Sequence, residues 1–447
     1  MTDPAPSVPE PDGAPRIATL DVLRGIAILG ILFMNINDMG GSLVASFGDV
    51  RHLGWTPVDR VAWWLREVLA NGTARGLLQL LFGAGMVILT DRAAMHAREG
   101  SVLAGYICRN LVLLALGLVH LFMLLWPGDI LHTYAIAAVI AVLFRGLPPR
   151  ALLLCGLSLA VWEVASGGYA LHARAEQQAI AAIARAHQVA GVPLTPGDRR
   201  AIATSERAHA ETLSAHARQQ QEIAAEDEAR TGDARSWAGA AWKAIVDLQR
   251  RGLELLFVWE AAAAMLLGAA LYRWRILQGA RSRRFYAALA LAGYAVGAPL
   301  RLIAAMQTVR FDGGVNVDWA TYELARLAMT LGHLGMINLL LASAIGATLL
   351  RPFEAAGRTA LSIYILQTLV CLWVLYPPWG FALYGRQGWM ALMLTAAAVD
   401  AALLLLAVWW VRHYRIAPVE WAWRSIVEGR RLPFRRQASV DGKGRPA

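Results

Sequence analysis

The chain has 447 residues, 57% of them hydrophobic and only 17% charged, with a mean hydropathy of +0.44. That balance excludes an ordinary soluble domain and points to a polytopic membrane protein. The net charge is +10, carried almost wholly by arginine, since Lys243 and Lys443 are the two lysines. The arginines cluster between apolar runs, so they read as topology signals and not as a nucleic-acid footprint.

Residues 1–15 are Pro-rich and polar and lack the features of a signal peptide, which predicts a disordered tail. A spanning helix needs about 20 mostly apolar residues. On that rule the chain is all-α, a membrane bundle with about ten spans. They lie near Leu20–Ile36, Gly76–Thr90, Leu103–Leu125, Ile130–Phe144, Ala151–Tyr169, Leu253–Trp274, Tyr286–Met306, Tyr322–Leu350, Ala360–Tyr376 and Trp389–Val411. The second and fourth are short. The domains that follow are a membrane bundle over 16–169, a helical insertion over 170–251, a second bundle over 252–412 and a basic amphipathic tail over 413–447.

Arginines at 273–284 and 412–436 place those segments, and with them both termini, in the cytoplasm. Arg51, Arg60, Arg66 and Arg75 then fall outside, against the bias. An interfacial helix over Val58–Leu69, anchored by Trp63 and Trp64, would make them less decisive. The insertion reads as an extracytoplasmic helical hairpin split at Gly191-Val192-Pro193, its second half opened by Thr195, Pro196 and Asp198. It fits either a lid over a site or a solvated insertion. Around Trp421, Trp423, Arg424 and Arg430 the tail has the composition of a helix lying on an anionic leaflet.

Several polar residues interrupt the apolar runs. Asp21 and Arg24 share one helix face at the mouth of the first span, as an interfacial anchor or as part of a pocket. His120 precedes a Trp126-Pro127-Gly128 break, and Asp129 and His132 open the next helix on one face. An acid there suits the helix dipole and can fix a histidine tautomer. Glu323, Arg326, Thr330 and His333 form a second polar line, with His333 near mid-membrane. Tyr364, Gln367, Thr368 and Cys371 share a face below Gly357-Arg358, where interhelical hydrogen bonding is a sufficient alternative to chemistry. His52 stands in the first outer loop, ahead of Trp55 and Asp59. Cys108, Cys155 and Cys371 lie in apolar stretches without zinc spacing, so no metal is expected. No nucleophile elbow, Walker loop or HExxH is present.

Five segments in order, LDVLRGIAILGILFMNI, LLQLLFGAGMVIL, GLVHLFMLLWPGDILHTYAI, GRTALSIYILQT and APVEWAWRSIVEGRRLP, resemble the YeiB-like bacterial membrane proteins, a family of undefined function. That resemblance implies a multi-pass protein of the bacterial inner membrane. The opening LDVLRGIAI also resembles the first helix of heparan-α-glucosaminide N-acetyltransferase and of bacterial polysaccharide O-acyltransferases. Those relatives imply transfer of an acyl group from cytoplasmic acyl-CoA to an extracytoplasmic glycan or amine. The glucosaminide enzyme has a catalytic histidine after its first span with Trp three residues on, a spacing that His52 and Trp55 reproduce.

The expected mechanism puts CoA phosphates on Arg24 and Arg358, beside Asp21, and the acceptor's proton on His120, oriented by Asp129. His132, Glu323, Arg326, His333, Tyr364 and Gln367 would line the route. The alternatives are a transporter or lipid carrier using the same polar residues and a non-catalytic scaffold.

Overall fold

The computed structural model describes residues 18–95, 99–311 and 314–435. The N-terminal segment read as a disordered tail lies outside the described residues.

The first span is α1 (Ala18–Gly40), with Asp21 in its first turn. After it, α2 (Leu43–Ser46) starts at Ser42, whose hydroxyl accepts from the Ala45 amide. A capping box between Thr56 and Asp59, with Pro57 at the first helical position, opens α3 (Pro57–Leu65). That helix runs on as a π-helical turn, Arg66–Ala70, and breaks at Asn71-Gly72 before α4 (Thr73–Ala94). Gly72 has φ +73°, the left-handed region that glycine supplies without strain.

This break falls between the expected helix Val58–Leu69 and the expected span Gly76–Thr90. Trp63 is buried in the core and does not serve as an exposed anchor. Arg66 reaches the Met34 carbonyl at 3.1 Å and Arg75 reaches Glu260 at 3.0 Å, so both are paired inside the bundle. Two of the four arginines that argued against the charge bias are therefore held by partners inside the bundle.

Next come α5 (Glu99–Phe122), α6 (Leu131–Ala141), α7 (Pro149–Gly156) and α8 (Ser158–Val189). The long α8 leaves the bundle and turns at Gly191 into α9 (Pro196–Thr231), which starts with a Thr195–Asp198 capping box. Asp233 caps α10 (Ala234–Arg250), which leads back to α11 (Leu253–Arg273). Then α12 (Arg283–Thr308) and α13 (Asp318–Leu341) pack antiparallel.

The expected single span Tyr322–Leu350 is two helices. Ser343 caps a new one, α14 (Ala344–Arg358), by accepting from the Gly346 amide. It meets α15 (Ala360–Thr368), which continues as a π-helical stretch to Leu375, at a 78° bend. The chain ends with α16 (Trp389–His413) and α17 (Pro418–Val427).

Among the described residues eight helices are long and apolar enough to cross a bilayer, or nine if the bent pair counts as one. Leu131–Phe144 is a shorter apolar segment. The protein is thus an all-α multi-pass bundle. Where α1 crosses α14 the backbones touch: Gly25 abuts the Phe353 carbonyl and Gly357 the Asp21 carbonyl, so neither position has room for a side chain. The two faces are named here for what they carry, the tail face for α17 and the hairpin face for α8 and α9. The base of the hairpin is fixed to the bundle by Glu226, which accepts from the Ser42 hydroxyl (2.6 Å) and the Leu43 and Val44 amides (3.1 and 3.2 Å).

Candidate functional site between two cavities

Two cavities enter the bundle from opposite faces. The one on the tail face measures about 280 Å³ and is walled by Asp21, Arg24, Arg109, Arg358, Trp423 and Arg424, with Tyr364 at its depth. The one on the hairpin face measures about 140 Å³ and is walled by Asp38, Arg75, Asp129, His132, Glu254 and Glu260. Ile130 and Tyr134 line both, so a thin septum separates them.

The septum is built by the turn from α5 to α6. The helix α5 ends at Phe122, and the turn at Pro127-Gly128 brings Asp129 back over His120. Asp129 bridges two imidazoles: one carboxylate oxygen lies 2.6 Å from His120 Nδ1 and the other 2.7 Å from His132 Nδ1. The second oxygen also accepts from the His132 amide at 3.0 Å. Burial pushes the Asp129 carboxyl up, but the hydrogen bonds from His120 and His132 outweigh it and hold it below the usual carboxylate range.

With Nδ1–H donated to Asp129, a neutral His120 presents an Nε2 lone pair, and that nitrogen meets the Thr368 hydroxyl at 2.9 Å. The Tyr364 ring packs 4.9 Å from the His120 ring, and its hydroxyl accepts from the Ile130 amide at 3.1 Å. His132 differs, because its Nε2 faces Glu254 at 3.2 Å. An imidazole between two carboxylates must donate from both nitrogens, which makes it an imidazolium.

The structure thus brings His120, Asp129, His132 and Tyr364 together, and gathers Asp21, Arg24 and Arg358 at the other cavity's mouth. Arg24 stands 2.6 Å from Asp21. The remaining expected residues lie elsewhere. His52 is bound by Asp227 of α9 at 2.8 Å and is absent from both cavity walls. His333 bonds to Tyr294 and to the Leu69 carbonyl, each at 2.8 Å, and lines neither cavity. Gln367 ties α15 to α16 and α1 through Asp400 Oδ1 (2.9 Å) and the Ile28 carbonyl (3.2 Å).

Glu323 and Arg326 form a buried bidentate pair at 2.7 Å, within a network that sequence reasoning missed. Arg326 also bonds Gln79 (2.8 Å), and Glu260 holds both Gln79 (2.9 Å) and Arg75 (3.0 Å). The available signal was Glu260, an acid inside an otherwise apolar span. Glu254 and Thr368 were also missed as partners of the two histidines. Among the described residues no group of three or more His, Cys, Asp or Glu is disposed to hold a metal.

Residues 271–430 match the family described as "Protein of unknown function (DUF418)". Over 436 residues, 95% of this chain and 97% of the relative, the sequence is 27% identical to the uncharacterized protein YxaH of Bacillus subtilis. Over 420 residues, 92% and 96%, it is 27% identical to the uncharacterized protein YeiB of Escherichia coli.

Along nearly its whole length the chain is similar to these YeiB-like proteins.

No solved structure matches it. These matches cover far more of the chain than the C-terminal region that the family model matches.

Proposed function

We propose that this protein is a transmembrane acyltransferase that takes an acyl group, in the simplest case acetyl, from cytoplasmic acyl-CoA to a glycan or amine outside the inner membrane. The observation that carries the reading is the pair of back-to-back cavities with His120 buried between them, packed on Tyr364 of one wall and oriented by Asp129 of the other. The arginine bias supports a cytoplasmic tail face, with both termini on that side. The cavity on that face combines arginines with the apolar and aromatic walls that a phosphate-bearing thioester needs. The opposite cavity is lined by carboxylates and amides, suited to a hydroxyl- or amine-bearing acceptor. His120, held in one tautomer by Asp129, is the proton acceptor of the reaction.

The test is equilibrium binding of labelled acetyl-CoA to purified protein in detergent. Saturable binding is expected, weakened about tenfold or more by Arg24→Ala or Arg358→Ala, the loss of one charge-assisted contact. Absence of saturable binding sinks the reading.

A transport reading has one observation in its favour. One span is broken inside the bundle, α14–α15 at the 78° bend, and broken helices often frame a transported substrate. Substrate flux in proteoliposomes without acyl transfer would favour it.

A further inference from the structure

The two cavities do not join, and the groups in the septum have a purpose that positioning alone leaves unexplained. Thr368, His120 and Asp129 form a continuous nucleophile–base–orienter chain: Oγ to Nε2 at 2.9 Å, Nδ1 to Oδ1 at 2.6 Å. A threonine inside a helix commonly bonds back to its own turn. Thr368 instead gives its hydroxyl to the imidazole, and the helix turns π-helical immediately after it.

The turn between His120 and Asp129 is strained. Leu125 holds φ +55°, a left-handed conformation unfavourable for a leucine. The strain sets the Trp126 indole into the core, against Gly128, where any side chain would strike the ring. Trp126 Nε1 is buried beside the Tyr364 hydroxyl, which itself donates weakly to Asp129 at 3.4 Å, and among the described residues the indole N–H makes no well-aligned hydrogen bond. An orphaned buried N–H is costly, of the order of 1–3 kcal/mol. A ligand oxygen at this point would satisfy it.

We propose that Thr368 is an acyl-carrying nucleophile: the acyl group crosses the septum as a threonine ester, and Trp126 Nε1–H with the Tyr364 hydroxyl stabilises the oxyanion of each step. This rests on the acyltransferase reading. Tyr364 stands between the tail-face cavity and the imidazole, so displacement of its ring admits the thioester. Thr368 Oγ attacks the thioester carbonyl as its proton passes to His120 Nε2. The C–S bond breaks, the thiolate takes that proton and CoA leaves as the free thiol. An acceptor hydroxyl or amine from the hairpin-face cavity then attacks the ester, giving its proton to His120. The ester C–O bond breaks, and the proton returns to Thr368 Oγ. No oxidant, metal or further reactant is needed.

The experiment incubates the full-length protein with labelled acetyl-CoA without acceptor, then uses intact-mass and peptide analysis. Separately, thiol release is followed with water and with glucosamine as acceptor probes. One acetyl group on Thr368 is expected, labile to hydroxylamine, absent in Thr368→Val and His120→Gln, and kept in Thr368→Ser. Replacing Trp126 by its benzothiophene isostere, which keeps the shape and removes the N–H, should slow thiol release about 10²-fold with acetyl-CoA binding unchanged. If Thr368→Val releases thiol at the wild-type rate, or the isostere has no effect, the inference falls and the acyltransferase reading stands. If the wild type neither binds acetyl-CoA nor releases thiol, both fall together.

Discussion

Glu254, in the first turn of α11, stands 3.2 Å from Nε2 of His132, on the side of the ring opposite Asp129. Its other oxygen accepts from the Thr133 hydroxyl at 2.8 Å. His132 and His120 share one carboxylate, yet the second partner of each ring differs. A carboxylate at Nε2 demands an N–H, whereas a hydroxyl can donate to a lone pair. The two histidines should therefore hold different protonation states at neutral pH. Nitrogen-15 NMR of histidine-labelled protein should show one doubly protonated ring and one ring protonated at Nδ1 alone. Glu254→Gln should convert the first into a neutral tautomer and leave the second unchanged. Identical states for both rings would refute the assignment.

The shared carboxylate also predicts an energetic coupling. His120 lies at the end of α5 and His132 at the start of α6, and Asp129 joins them through separate oxygens. A double-mutant cycle of His120→Gln and His132→Gln should give an interaction energy of about 1 kcal/mol or more, read from unfolding in detergent. In an Asp129→Asn background that coupling should collapse. A coupling that survives would mean the rings communicate through packing.

The α5–α6 site was legible because a helix break, an acid at a helix start and flanking histidines lie within a few residues. Their local spacing fixes their geometry. The partners of those histidines were not legible in the same way. Thr368 lies 248 positions from His120, and Glu254 lies on another span, so no periodicity relates them. The bundle itself was legible from apolar run length, which records burial in a membrane but not continuity of a helix. Hence Ser343, which breaks a run without changing its hydropathy, was passed over. Arg75 was misplaced for the same reason: its partner Glu260 is supplied by tertiary packing.

The buried network around Arg326 makes a stability prediction. Arg326 is fully buried and touches Glu323, Gln79 and, at 3.5 Å, Glu260. Removing it alone leaves carboxylates in a dry interior, which costs about 3–5 kcal/mol for a buried pair. Arg326→Ala should show that loss in thermal unfolding. Arg326→Met combined with Glu323→Leu removes one charge of each sign and leaves Arg75 with Glu260, so most of the loss should be recovered. Equal destabilisation by the single and paired changes would show that hydrogen-bond geometry, and not charge balance, holds these helices.

At the far end of the hairpin, pH should act on one helix start. The Thr195 hydroxyl donates to Asp198 at 2.7 Å and its backbone amide at 2.9 Å, while the Asp198 amide returns a bond to the hydroxyl at 3.0 Å. These bonds, the hydroxyl first, hold the Asp198 carboxyl below its ordinary value, with His187 a further, weaker contributor. A carboxyl depressed in the folded state adds stability that is complete above its unfolded pKa, about 3.9. That stability drains away as pH falls through the lower folded value. Hydrogen exchange, corrected for the intrinsic rate at each pH, should show protection of the first amides of α9 falling over that acidic window. The Asp198→Asn variant should begin with lower protection and show no such transition. The rest of α9 should respond little, because a cap acts on the first turn. Protection of those amides that stays flat down to about pH 2 would show that the ionised carboxylate contributes nothing to the cap.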